Sequence, residues 1–225
     1  EDLKPNRLEA AKDVAAEFIN GRPNDNIGIT LFAGESFTQC PLTVDHAVLL
    51  DMIHNIKCGL IEDGTAVGMG IANAVTRLKD SKAKSKVIIL LTDGTNNKGD
   101  ISPMTAAEIA KSFGIRVYTI GVGTNGMAPY PYPVGNTVQY VSMPVEIDEK
   151  TLTQIAGTTD GNYFRATSNS KLKEVYEEID KLEKTKLNVK EYSKRDEEYH
   201  WFALAAFLCV LLEVLLRNSI LKKIP

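Results

Sequence analysis

Hydrophobic and polar residues along this chain alternate between two patterns, one typical of helices and one typical of buried strands. Apolar residues at helical spacing predict helices over 8–19, 48–56, 65–78, 102–114, 148–156 and 172–182. Short apolar runs predict strands over 27–34, 36–43, 87–92, 115–123 and 162–167, and residues 124–147 are predicted to form a long loop. Helices that alternate with strands indicate an α/β fold with a mostly parallel sheet covered on both faces.

The strand at 87–92 ends directly on an acid, Asp93, in the stretch KVIILLTDGTNN. In parallel sheets, the loops after the carboxyl ends of the strands converge and carry the functional groups. The chain begins with Glu1 and then a helix, where an opening strand is expected for such a sheet. We therefore expect a Rossmann-like, doubly wound sheet whose first strand precedes residue 1.

The last part of the chain differs because apolar residues surround its predicted helix on all sides. From Trp201 to Leu216 only Glu213 is polar. A helix over 199–221 would be about 34 Å long, enough to cross a hydrocarbon core of about 30 Å. We predict a transmembrane helix there, and the alternative is a buried core helix.

The charges that flank this helix predict its orientation. Arg217, Lys222 and Lys223 crowd the C-terminal end, which the positive-inside rule places in the cytoplasm. The preceding domain is then expected on the outer side of the membrane. The predicted organisation is a domain at 1–183, a charged linker at 184–198, a transmembrane helix at 199–221 and a cytoplasmic tail at 222–225.

Composition and cysteine content narrow the functional classes. The net charge of −3 and the absence of a basic stripe with interleaved aromatic residues argue against nucleic-acid binding. Cys40 and Cys58 flank a predicted helix and are either free or bridged, whereas Cys209 lies in the predicted span. No cysteine–histidine spacing predicts a zinc site.

Two polar turns lie where a parallel sheet presents its functional groups. One is EDGTAVGMG, which places Thr65 at a helix start, and the other places Asp93 directly after a strand. A hydroxyl and a carboxylate suit a hard divalent cation such as Mg²⁺. The structural alternatives are a helix N-cap for Thr65 and a turn carboxylate held by backbone N–H groups for Asp93. Together, the two side chains favour a metal site in the intact protein.

These motifs resemble the von Willebrand factor A (vWA) domain family. The resemblance lies in Gly64-Thr65, in the apolar strand that ends at Thr92-Asp93-Gly94, and in IRVYTIGVG. In that family a metal-ion-dependent adhesion site combines an Asp-x-Ser-x-Ser motif on the first strand, a Thr from the second loop and an Asp from the third. The resemblance implies that Thr65 coordinates the ion directly, that Asp93 binds it mainly through water, and that an acidic residue of a protein partner completes the shell.

Over nearly its whole length the sequence also resembles the bacterial Bat proteins of aerotolerance operons, and BatA most of all. The segments that carry this resemblance include EDLKPNRLEAAKDVAAEFI, GITLFAGESFTQCPLTVDHAVLL, EDGTAVGMGIANAV and KVIILLTDGTNNKG. It implies a binding module anchored in the bacterial cytoplasmic membrane, with its vWA domain on the periplasmic side. It also implies that the module works with other Bat proteins and a MoxR-type ATPase. Because the Asp-x-Ser-x-Ser motif is absent, the remaining ligands are expected upstream of Glu1, and Thr65 and Asp93 alone predict weak Mg²⁺ binding by this chain.

Other functional classes match the sequence less well. GVGTNG at 121–126 has the GxGxxG spacing of dinucleotide sites, but prolines follow where the mechanism requires a helix. His46, His54 and His200 stand in no hydrolase motif. We expect a binding protein and not an enzyme, with a structural membrane-complex subunit carrying a vestigial metal site as the alternative. The PYPYP stretch at 129–133 is either a recognition surface or a stiff, inert loop.

Overall fold

The computed structural model of the protein describes residues 3–124, 126–134, 137–145, 147–192 and 199–219. The chain divides into two compact units, Glu1–Glu183 and Lys184–Pro225. The elements follow in the order α1 (Arg7–Asn20), β1 (Ile27–Phe32), β2 (Ser36–Thr43), α2 (His46–His54), α3 (Val67–Leu78), β3 (Val87–Thr92), α4 (Pro103–Ser112), β4 (Arg116–Val122), β5 (Gly126–Val134), β6 (Thr137–Val145), α5 (Glu149–Thr158), β7 (Tyr163–Ala166), α6 (Asn169–Tyr192) and α7 (Tyr199–Ser219).

Three parallel strands form the central sheet of the first unit, in the order β3-β4-β7. Val87 is aligned with Arg116, and Thr119 is aligned with Tyr163, so the carboxyl ends of the strands meet at one edge. Every residue of β4 after Arg116 is buried, which explains its continuous apolar run. The predicted α/β fold with a parallel sheet is confirmed.

Helices cover both faces of this sheet. Alternate strand residues point to opposite faces, so Ile88 and Leu90 pack with α3, α4 and α5, whereas Tyr118 and Ile120 pack with α1 and α6. A third cluster joins β1, β2 and α2 through Leu49 and its neighbours. Burial of apolar surface on both faces therefore holds β4 in the centre of the unit.

Strands β1 and β2 form a separate antiparallel pair. Among the described strands, this pair has no ladder to β3, so β3 is an edge of the parallel sheet. Within β3, residues alternate between buried and half-buried. The expectation that a strand preceding residue 1 belongs to the sheet stays a prediction.

The loop predicted over 124–147 is wrong, because most of it forms an antiparallel hairpin of β5 and β6. The prediction of a loop followed from Pro129, Pro131 and Pro133, since proline usually interrupts the hydrogen-bond ladder between two strands. They stand at alternate positions, however, and pair with Ser142, Tyr140 and Val138. Alternate residues of a strand direct their amide nitrogens to the same edge, so one edge of β5 can lack N–H donors while the other pairs with β6.

Helix α6 continues to Tyr192, beyond the predicted helix end at 182 and into the charged linker predicted at 184–198. The role of that segment as a linker stays a prediction. Lysine and glutamate are good helix formers, and a helix does not need an apolar stripe in order to continue. Residues 193–198 and the predicted tail at 222–225 lie outside the described residues.

A helix, α7, occupies most of the predicted span at 199–221. In the part of the chain that the structure describes, no helix has the length and apolarity needed to cross a membrane. The predicted transmembrane helix is therefore not confirmed. The three cysteines are free thiols, so the alternative of a bridge between Cys40 and Cys58 is not realised.

Candidate functional site

Thr65 lies in the loop between α2 and α3, just before the N-cap of α3. That N-cap is Ala66, which has no side-chain acceptor for the free backbone N–H groups of the first turn. The side chain of Asn96 accepts a hydrogen bond from the backbone N–H of Val67 at 2.9 Å instead. The alternative that Thr65 is the N-cap is therefore wrong, and the start of α3 is capped by the loop that follows β3.

Asp93 is the first residue after β3, as the sequence predicted. Its side chain is 58% exposed, and its Oδ2 accepts a hydrogen bond from Arg7 Nη1 at 3.1 Å. The backbone N–H of Gly94 donates to Thr92 Oγ1 at 3.4 Å. The Asp93 carboxylate is thus held by the Arg7 guanidinium, while the Thr92 hydroxyl stabilises the turn at Gly94.

The loops that carry Thr65 and Asp93 are joined by hydrogen bonds. The backbone N–H of Thr65 donates to Asn97 Oδ1 at 2.9 Å, and its carbonyl accepts from the backbone N–H groups of Asn97 at 3.0 Å and Lys98 at 3.3 Å. A methyl group placed on Gly94 would lie 3.3 Å from Thr65 Oγ1. The threonine hydroxyl therefore lies against the residue next to Asp93, and both functional groups occupy one rim of the sheet.

Arg7, which sequence reasoning missed, joins the first turn of α1 to this rim. Its guanidinium lies against Gly123 at the end of β4, where a β-carbon would come within 2.7 Å of Arg7 Cζ. Gly123 has a φ of +117°, a conformation that side chains other than hydrogen disfavour. A cation directly before the start of the predicted helix at 8–19 was the one sequence signal, because positive charge there opposes the helix dipole.

Further ion pairs surround the rim. Arg165 donates from Nε to the carbonyl of Gly123 at 3.0 Å and from Nη1 to Glu149 Oε1 at 2.9 Å. On the other side, Lys98 Nζ lies 3.8 Å from Glu62 Oε1. Both acidic partners are well exposed, so each of these pairs contributes about 0–1 kcal/mol. Opposite charges are therefore matched around the rim.

The residues of this chain do not by themselves fit a resident divalent cation. Thr65 and Asp93 supply oxygens of the right chemistry, but Mg²⁺ takes six ligands in octahedral geometry and Asp93 is already paired with Arg7. Within the described residues, no group of three or more acidic, histidine or cysteine side chains is arranged to hold a metal ion. The role of Thr65 and Asp93 as ligands stays a prediction.

Two histidines and the glycine motif at 121–126, which were considered for hydrolase chemistry and dinucleotide binding, occupy structural positions. His46 Nε2 is 3.0 Å from the carbonyl of Asp25, and His54 Nδ1 is 2.7 Å from the carbonyl of Leu50. The GxGxxG match at 121–126 leads into β5, not into the helix that would face a pyrophosphate. The glycine motif therefore does not build a dinucleotide site, and His46 and His54 both contact backbone carbonyls.

The family model for the von Willebrand factor type A domain matches residues 2–178. The chain belongs to this family. Among solved vWA-like structures, an aerotolerance-related membrane protein from Bacteroides fragilis is 32% identical, with a TM-score of 0.68 over 80% of this chain and 91% of that one. The conserved hypothetical protein BatB from Bacteroides thetaiotaomicron is also 32% identical, with a TM-score of 0.70 over 81% and 91%. The resemblance to Bat proteins is thus confirmed at the level of the family, and the specific likeness to BatA stays a prediction.

Three further proteins extend the comparison. The mussel byssus protein PTMP1, in a structure with a zinc-occupied MIDAS motif, is 25% identical, with a TM-score of 0.61 over 79% of this chain and 41% of that one. An uncharacterized protein of Borreliella burgdorferi is 27% identical over 97% of this chain, and a UPF0353 protein of Mycolicibacterium paratuberculosis is 31% identical over 78%. The chain spans 64% and 53% of the lengths of these two relatives.

Proposed function

We propose that this vWA domain is a protein-recognition module, with the rim around Thr65 and Asp93 as its contact surface. The observation that carries the proposal is the convergence of the two loops, in which Asn96 and Asn97 bind the backbone of the Thr65 loop. These bonds fix an exposed carboxylate beside a threonine hydroxyl before any partner arrives. A prearranged polar rim reduces the entropy that binding costs.

The rim would bind a divalent cation, Mg²⁺ by preference, once further oxygen ligands join Thr65 and Asp93. The bound ion would supply positive charge for an acidic residue of a protein partner. Two findings support this proposal: relatives longer than this chain, and a related vWA structure whose MIDAS motif holds zinc.

We further propose that the module works in a membrane assembly linked to aerotolerance, with other Bat proteins and a MoxR-type ATPase as partners and without catalysis. The similarity to Bat-related structures supports the assembly. The apolar side chains that α7 exposes, including Phe207 and Leu208, support a C-terminal membrane anchor. The cluster of Arg217, Lys222 and Lys223 supports an orientation in the bacterial cytoplasmic membrane that leaves the vWA domain on the periplasmic side.

The test is capture of partner proteins by the full-length protein, with and without Mg²⁺. We expect Thr65→Ala and Asp93→Ala each to reduce Mg²⁺-dependent capture at least tenfold. Matched controls are Thr76→Ala, which removes a hydroxyl bonded within α3, and Asp100→Ala, which removes an exposed acid from the loop after β3. Both controls should retain wild-type capture.

The second candidate is a structural subunit of the same assembly with a vestigial metal site. The pairing of Asp93 with Arg7 favours it, because a carboxylate neutralised by a guanidinium needs no metal ion. Capture that survives both rim substitutions and chelation would support this second function and contradict the first.

A further inference from the structure

Strands β5 and β6 form a two-stranded sheet of their own, and no other described strand pairs with either of them. A hairpin of two strands is at best marginally stable in water and needs a third strand or a packed face for independent stability. The side chains of the hairpin that the structure describes are all exposed, Met127 by 61% and Tyr140 by 59%. The edges of the hairpin therefore decide what can join it.

The outer edge of β5 is closed by proline. Pro129, Pro131 and Pro133 stand at alternate positions of β5, and the ladder to β6 runs through them without a shift in register. Because proline has no N–H group to give to the ladder, these residues direct their backbone nitrogens to the outer edge. Proline at an edge is a common protection against the addition of another strand.

The outer edge of β6 has the donors that β5 lacks. Val138, Tyr140 and Ser142 are the residues opposite the three prolines. In an antiparallel pair, opposite residues both direct their backbone groups toward the ladder or both direct them away from it. The N–H and C=O groups of these three residues therefore point away from β5, in the arrangement that a further strand requires.

Charge does not protect this edge either. The hairpin sequence at 126–145 contains no lysine, arginine, aspartate or glutamate. Natural proteins commonly place charged side chains on edge strands, lysine above all, and like charges that lie opposite each other destabilise a strand pair. A neutral strand meets an identical strand without this repulsion, so a second copy of β6 is electrostatically compatible with the open edge.

We propose that two copies of this chain pair through β6, antiparallel and about a two-fold axis. The register that uses all three open positions places Tyr140 opposite the partner's Tyr140 and Val138 opposite the partner's Ser142. The strands then form one sheet in the order β5-β6-β6-β5, and proline closes both of its outer edges. Pairing therefore stops at the dimer and does not extend into a fibre.

The size of this contact makes the dimer reversible. One strand from each copy buries less than the roughly 1,200 Å² at which standard stable interfaces begin. The pairing uses the hairpin alone and involves neither Thr65 nor Asp93. Failure of the proposed cation site would therefore leave this inference standing, and the reverse also holds.

The first test is disulfide trapping, which suits a reversible dimer. It uses the full-length protein with the two exposed cysteines, Cys58 and Cys209, replaced by serine. Opposite residues of a hydrogen-bonded pair have α-carbons about 5.5 Å apart, within disulfide range, so Tyr140→Cys should give a covalent dimer on mild oxidation. Gln139→Cys is the matched control, because its own copy lies about 8 Å away and out of range. It should give roughly fivefold less dimer, or still less.

The register has its own test. The proposed pairing places Gln139 opposite the partner's Val141, so Gln139→Cys and Val141→Cys should each give little dimer alone and should cross-link when co-expressed. On the Tyr140→Cys background, Ser142→Pro removes an N–H group from the open edge without touching the ladder to β5, and the yield of dimer should fall roughly fivefold. Ser142→Ala keeps the N–H group and should retain the yield.

The second measurement uses the wild-type protein and does not depend on how any variant folds. Hydrogen exchange at the backbone N–H groups of Val138, Tyr140 and Ser142 should slow as the protein concentration rises, because pairing covers these groups. The N–H of Val141 faces β5 in the monomer and in the dimer, so its exchange should change less.

Three outcomes contradict the proposal. Equal dimer yields from Tyr140→Cys and Gln139→Cys would mean that the copies meet by random collision. Exchange at the open edge that stays fast at every concentration would show that nothing pairs there. Exchange that is slow at every concentration, without a Tyr140→Cys dimer, would show that another protein's strand occupies the edge in place of a second copy.

Discussion

The buried carboxylate of Glu183 organises the amino-terminal end of the parallel sheet, opposite the rim. Its side chain is 5% exposed and accepts hydrogen bonds from Tyr118 Oη at 2.6 Å and Ser85 Oγ at 2.9 Å, together with a short ion pair from Arg116. Burial alone would raise the pKa of Glu183, but the bonds from Tyr118, Ser85 and Arg116 outweigh it and lower the pKa. Burial and the same carboxylate raise the pKa of Tyr118, so Glu183 is charged while Tyr118 keeps its proton.

Replacement of this carboxylate gives a prediction at the scale of one residue. Glu183→Gln leaves Arg116, whose side chain is 17% exposed, without its counter-ion, so we expect a loss of about 2–4 kcal/mol in the free energy of unfolding at pH 7. Urea denaturation of the first unit measures it. Glu178→Gln, at an exposed position of the same helix, is the matched control and should change stability by less than about 0.5 kcal/mol.

The pH dependence of this difference tests its electrostatic origin. A folded-state pKa below the unfolded value means that the stabilisation is complete above the unfolded glutamate pKa of about 4.3 and is lost as the pH falls through the folded value. The gap between wild type and Glu183→Gln should therefore narrow below about pH 4.3. If the difference in unfolding free energy between wild type and Glu183→Gln stays constant as the pH falls to the pKa of Glu183 in the folded protein, packing and not charge explains the loss of stability.

At the scale of elements, the most informative contact is the cap that one loop supplies to a distant helix. Asn96 accepts from the backbone N–H of Val67, so the start of α3 depends on the loop after β3. We expect Asn96→Ala to lower stability by about 1 kcal/mol, the usual cost of a lost N-cap. Asn96→Asp keeps an oxygen acceptor and adds a negative charge near a helix N-terminus, so it should restore most of the loss.

Thermal unfolding of the two Asn96 variants measures this difference. Hydrogen exchange at the Val67 amide localises it, because the loss of the cap should speed exchange there before it affects the end of α3. Equal stability of Asn96→Ala and the wild type would mean that the cap contributes nothing measurable. In that case, the backbone bonds between Thr65 and the Asn97–Lys98 turn would hold the two loops together.

The sequence predicted the elements whose local pattern and tertiary environment agree. Helix α4 is an example, since Ser102 caps it and Pro103 opens it as expected. The hairpin of β5 and β6 was missed because its strand formation depends on the alternation of prolines relative to a partner strand, which no local window shows. The extension of α6 was missed because charged residues suggested a linker, although they also form helices well.

At the scale of the whole molecule, the placement of the candidate site was predictable, but its electrostatics were not. Parallel strands bring their carboxyl ends to one edge, which places Asp93 at the rim. The predicted helix start at Thr65 suited the same edge, and hydrogen bonds between the two loops bring it there. The Arg7 contact with Asp93 joins residues 86 positions apart, and the Asn96 cap joins residues 29 positions apart. Only three-dimensional packing creates such contacts, so the sequence indicated a carboxylate at the rim without indicating the guanidinium that neutralises it.

The proposed membrane anchor is tested on the whole chain. The described part of α7 exposes large apolar side chains, among them Leu204, Phe207, Leu208, Val210, Leu211, Leu212 and Val214. Water-exposed apolar surface of this extent is unfavourable, and transfer into lipid would remove it from water. We expect the full-length protein to sediment with membranes and to resist alkaline carbonate extraction.

A charge placed in this apolar surface should weaken the anchor. On insertion scales, an arginine at the centre of a membrane helix costs about 2.5–3.5 kcal/mol, so Leu208→Arg should move a large fraction of the protein into the carbonate-soluble pool. Glu178→Gln changes the net charge by the same amount at an exposed position of α6 and should leave the distribution unchanged. Complete extraction of the wild-type protein by carbonate would contradict the anchor, and the exposed face of α7 would then need a protein partner to cover it.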